Sequence, residues 1–164
     1  MLRESLENTP ETVQELELAA EARYWEGLEL MALGRRDVGI YLMGYGAEMH
    51  LKLACFRLVG ASNVDPVEAL RNQARLDVRA WPVAARPPEE GLHSLRFWFA
   101  LLKRRRQDAG RSDLTVDFER CVERLYQTWW VGMRYHQGMA RDADMDQVFE
   151  DVSWLARNYS ILWS

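Results

Sequence analysis

IYLMGYGAEMHLKLACFRL, residues 40–58, is the stretch whose reading decides the fold of this chain. On a 3.6-residue period Tyr41, Tyr45, Glu48 and Lys52 fall along one stripe, and Met43, Ala47, Leu51, Ala54 and Leu58 along a second. A surface helix has a wet face, and this one has almost none. It is therefore predicted to be a buried helix on which other helices pack. Gly39, Gly44 and Gly46 each cost about 1 kcal/mol relative to alanine in a helix interior, so they point to close approach by a neighbouring backbone.

Before this stretch, Thr9, Pro10 and Glu11 read as an N-cap, a first-turn proline and an early acid. They open an amphipathic helix to about Leu33, with Val13, Leu16, Ala20, Tyr24, Leu28 and Met31 on its core stripe. The link GRRD is short enough to make an antiparallel hairpin of the two helices, and Gly60 ends the second. Residues 61–91 change texture, with Pro66, Pro82, Pro87 and Pro88 allowing only a modest helix from Pro66 to about Val78. Helical spacing returns from Leu92 to about Ala109, in the stripe Phe118, Val122, Leu125, Trp129 and Met133, and in the stripe Val148, Val152, Leu155, Tyr159 and Leu162. The expectation is all-α: an up-and-down bundle of four to five long helices in one domain over 1–164, with the Pro-rich excursion between the second and third.

A chain of 164 residues is long enough to bury a core without metals or disulfides. Its 7 Trp, 6 Tyr and 5 Phe supply rings to fill the gaps between helices. Cys55 and Cys121 both lie in helical patterns and read as buried free thiols of a reducing compartment. A net charge of -4 excludes a surface coated in nucleic-acid-binding charge, leaving only a local basic patch. The polar start MLRESLENTPE and the lack of a long apolar run predict a cytoplasmic protein without a membrane span.

Glu48 and Lys52 are an i, i+4 pair in an apolar setting, and such a pair needs further partners. Arg134, expected on the fourth long helix, is the obvious donor from across the bundle. The structural reading is a polar clasp fixing helix register; the functional one is a small ligand pocket lined by Tyr41, Tyr45, Glu48, Lys52, His50 and Arg134. His136 beside Arg134 has the acid-base chemistry for RNA cleavage. The basic run Lys103, Arg104, Arg105 and Arg106 suits a helix C-terminus, or a phosphate patch if other arginines share its face. Asp142, Asp144 and Asp146 imitate a calcium loop, but Gln147 and Ser153 stand where its glycine and bidentate glutamate belong. No metal and no cofactor are expected.

GYGAEMHLKLA (44–54), GLHSL (91–95) and WWVGMRY (129–135), in that order, resemble the HEPN superfamily of helical-bundle domains. Gly44, Tyr45, Glu48, Leu51 and Lys52 match one motif of that family, and Trp129, Arg134 and Tyr135 another. The resemblance implies a homodimer of one of two kinds. One is a non-catalytic module that binds a nucleotide, an RNA or a protein. The other is a metal-independent, toxin-like RNase paired with a nucleotidyltransferase-like partner. The RNase kind uses an arginine followed by a histidine, for which Arg86 and His93 have the spacing. Pro87 and the loop PPEEGL depart from that pattern, so His93 reads better as a helix-start or packing histidine, and the non-enzymatic branch is the expectation.

Overall fold

A computed structural model describes residues 11–87, 91–136 and 138–164, without the side chains of Arg134 and Tyr135. Six α-helices are present among these residues: α1 (Val13–Ala32), α2 (Arg36–Leu58), α3 (Val67–Ala80), α4 (Leu95–Asp108), α5 (Val116–Thr128) and α6 (Asp142–Asn158). Short 3-10 turns lie at Val83–Ala85, Val131–Tyr135 and Tyr159–Leu162. The all-α class follows from the periodicity. No strand occurs among the described residues, only an isolated bridge between Thr12 and Pro66.

α2 is the axis of the molecule, packed against α1 along its length and against α4 and α6, with the 131–135 and 159–162 turns closing on it. From Ala47 to Phe56 every residue of α2 is buried, as the missing wet face predicted. The α1–α2 hairpin meets backbone to backbone. A Cβ on Gly27 would stand 2.9 Å from the carbonyl of Gly39, and one on Gly39 would stand 2.9 Å from that of Gly27. Gly44 has a different neighbour, the indole of Trp129, which occupies the space a Cβ would need.

Several boundaries differ from expectation, each for a local reason. The cap predicted at Thr9 and Pro10 lies outside the described residues; α1 starts at Val13 behind Thr12, which forms a reciprocal capping box with Glu15. The excursion holds a helix, α3, as long as α4, and residues 92–94 form a turn before α4 because Ser94 caps it at the amide of Phe97. α5 stops at Thr128 rather than carrying the stripe to Met133. Trp129 and Trp130 adopt extended backbone there, with the Trp129 indole lying on Gly44 and donating 2.9 Å to the carbonyl of Tyr41. Arg134 thus stands on a 3-10 turn, not on a long helix.

Asp37, in the first turn of α2, accepts from the backbone amides of Gly138 (2.8 Å), Met139 (3.1 Å) and Ala140 (2.9 Å). It latches the hairpin to the segment leading into α6. Partial burial pushes its carboxyl up, but the three amides outweigh this and hold it below the ordinary aspartate value. Cys55 and Cys121 are free and buried, and burial pushes both thiols up to about 12. Among the described residues no helix is long and apolar enough to cross a membrane.

Candidate functional site

The polar stripe of α2 converges on Glu48, whose side chain is 0% exposed. Lys52, one turn on, pairs with its Oε1, and the same ammonium lies 5.6 Å from the centre of the Trp98 ring. The third member comes from outside the helix: His93 Nδ1 is 3.3 Å from Glu48 Oε1. Neither oxygen of Glu48 receives a well-aligned hydrogen bond among the described residues. Charge and proximity hold it, and a buried carboxylate in that condition depends strongly on its cation.

His93 is placed there by the turn before α4. The Trp98 indole donates 2.9 Å to the carbonyl of Leu92, the Ser94 amide donates 3.0 Å to that of Gly91, and Ser94 then caps the helix. The imidazole rests 6.2 Å from the ring of Tyr45, which stacks at 6.2 Å on Tyr41. Burial, with Glu48 and Tyr41 nearby, pushes the Tyr45 hydroxyl above its ordinary value. His93 is 48% exposed, so a sealed carboxylate is joined through one imidazole to the surface.

At that surface is a cleft of about 390 Å³ lined by His93, Ser94, Tyr126, Gln127, Trp129 and Trp130. Trp130 is 63% exposed. Such a wall offers ring faces for stacking and a polar imidazole for orientation. A second cleft of about 340 Å³ lies on the other side of Trp130 and includes Asp37, Met133, His136 and Asp144. His136 is exposed and sits 6.4 Å from the Trp130 ring.

The structure thus gathers Tyr41, Tyr45, Glu48 and Lys52, and adds His93 to them. The clasp between Glu48 and Arg134 rests on a side chain outside the described residues. His50 departs from the expected pocket. Two residues beyond Glu48 a helix has turned by about 200°, so His50 faces α1 and the C-terminal turn, 4.9 Å from the ring of Tyr159. Arg86 is not joined to His93 in function: its guanidinium donates to the carbonyls of Trp81 and Arg79 and staples the Pro-rich loop.

The basic run of α4 does not form one face. Arg105 and Arg106 are buried, the former donating to the carbonyl of Cys55 and to Asp77, the latter to the carbonyls of Ser112, Ile161 and Leu162. Lys103 pairs with Glu119 and Arg104 with Asp108. The expected phosphate patch is therefore corrected to a set of structural ties, because at helical spacing successive cations point in different directions. Asp142 and Asp144 are first-turn acids of α6, paired with Arg36 and Arg141.

Compared with protein-family models, curated proteins and solved structures, the chain matches none. What the site can do rests on its own geometry.

Proposed function

We propose that the chain is a HEPN-like, non-enzymatic binding module that takes a nucleotide or a base of RNA into the cleft at His93. The observation carrying this is one imidazole that touches the buried carboxylate of Glu48 while lining a cleft with Tyr126 and Trp130. Glu48 orients the ring through Nδ1, the aromatic wall stacks the base, and Lys52 balances the buried charge. The up-and-down HEPN arrangement of four to five long helices, the homodimer and the Glu48–Arg134 clasp belong to the same proposal, as does a nucleotidyltransferase-like or other protein partner.

Calorimetric titration with nucleotides and a short RNA checks it. Wild type binds, and His93→Ala and Trp130→Ala each weaken binding about tenfold or more, since stacking on an aromatic ring contributes ~1–3 kcal/mol per base. Absence of binding by wild type, or equal binding by all three, defeats the nucleotide reading and leaves a protein as partner.

A second reading, metal-independent RNA cleavage, is favoured by the same dyad. A histidine oriented by a carboxylate through Nδ1 keeps Nε2 for proton transfer. If this reading holds, nuclease-free protein cleaves RNA, and His93→Ala lowers the rate about 100-fold or more, within the range of general acid–base effects. Parallel Arg134→Ala and His136→Ala variants assess the other Arg/His pair. No cleavage by wild type removes the enzyme.

A further inference from the structure

The most spacious cleft described in the molecule, about 510 Å³, lies away from His93, between α5, α6 and the middle of α1. Its floor is built from groups that hold one another. Asp151 is 1% exposed, and its carboxylate accepts from Nε of Arg124 (3.1 Å) and pairs with Nη2 of the same residue. Arg124 remains 42% exposed on the cleft wall. Beside it the Tyr24 hydroxyl and Ser153 Oγ are 2.9 Å apart, and Arg157 Nε donates 3.0 Å to the carbonyl of Ser153. Tyr24, Phe149 and Trp154 give the cleft an aromatic side.

Burying Asp151 is costly, and nothing in helix geometry calls for a carboxylate at that position. Its effect is to fix the plane of one guanidinium while leaving Nη1 and part of Nη2 facing outward. Arg157 is anchored in the same way through Nε, which leaves its two Nη groups for other acceptors. Two forks immobilised at the root, next to flat rings, match a compact ligand that carries both an anion and a ring. Arg120 and its partner Asp117 are exposed at the rim, as is Glu150, whose charge opposes an anion.

We infer that this cleft binds a small organic anion whose carboxylate or phosphate is attached to a flat ring. The anion lies on Arg124 and Arg157, and the ring against Tyr24, Phe149 and Trp154. The cleft has the volume of an ordinary small-molecule site.

The test is calorimetric titration of the full chain with indole-3-acetate, adenosine 5′-monophosphate, neutral indole and inorganic phosphate. At least one of the two ring-bearing anions binds more tightly than indole or phosphate, and the tighter of the pair says whether carboxylate or phosphate is preferred. Arg124→Gln strands Asp151 in the interior and endangers the fold, so Arg157, which is exposed, carries the test. Arg157→Gln weakens binding about tenfold, and Glu150→Gln tightens it two- to threefold by removing the opposing charge. Failure of both anions at millimolar concentration, binding unchanged in Arg157→Gln, or equal binding of neutral indole overturns the inference.

Discussion

Replacing Lys52 with methionine lowers stability by about 3–5 kcal/mol, whereas replacing Glu48 with leucine and Lys52 with methionine together lowers it little or not at all. The asymmetry comes from burial. Glu48 is 0% exposed and takes no aligned hydrogen bond among the described residues, so Lys52 is its principal counter-charge. Removing one partner of a buried pair leaves an uncompensated charge in a low-dielectric interior, and removing both leaves only a packing change. Leu51, Leu53, Phe56 and Trp98 already surround the pair with apolar groups that accept such a change. Urea unfolding of the two single variants and the double variant measures the coupling, which is expected to exceed about 2 kcal/mol. Additive effects would mean that Glu48 leans on another cation. The double variant also separates roles: if it folds well and fails to bind nucleotide, the stripe serves the site rather than the bundle.

How far the sequence reaches is plain from α2. Its buried character, its polar stripe and its close glycine approaches were all legible, because helical period and side-chain size are local properties. Gly27, the other half of the crossing with Gly39, was not, since one glycine in an amphipathic helix looks like any other until its partner is known. The stop of α5 at Thr128 was also hidden. The stripe runs through Trp129 to Met133 without a break, and only the fit of the Trp129 indole on Gly44, a contact 85 positions apart in sequence, ends the helix. Tertiary packing overrides a local pattern there.

The site divides along the same line. Tyr45, Glu48 and Lys52 share a face by spacing alone, but the irregular segment 61–91 separates them from His93, and no periodicity runs through it. The fixed placement of His93 depends on the Trp98 indole reaching back to Leu92. The basic run of α4 shows the opposite error, in which adjacency in sequence suggested a patch that helical geometry splits into two buried and two surface groups. Composition sees charge, and only the fold says where each charge is spent.

Acidification from pH 7 to pH 5 is expected to reduce stability by about 2 kcal/mol through His50 alone, and His50→Met abolishes that part of the slope. His50 is buried with neither ring nitrogen hydrogen-bonded among the described residues, and it lies against Tyr159. Burial holds its pKa down at about 4, against an ordinary 6.5, although the nearby carboxylate of Glu17 pulls the other way. That carboxylate is itself engaged, accepting 2.6 Å from the Tyr159 hydroxyl and pairing with Arg57. The folded state therefore keeps His50 neutral where the unfolded chain binds a proton. Between pH 6.5 and 4 the unfolded state gains that proton first, so stability is fully present above 6.5 and falls as the pH drops towards 4. At ~1.4 kcal/mol per unit the full loss is about 3 kcal/mol, of which about 2 has appeared by pH 5. Methionine is flexible enough to fill the same space and carries no unpaired nitrogen, so the variant is at least as stable as wild type at pH 7. Chemical denaturation at pH 7, 6 and 5 for both proteins decides it. Parallel slopes would show that His50 finds a proton partner in the fold and that another group drives the acid loss, for which Asp37 and its three amides are the next candidate at lower pH.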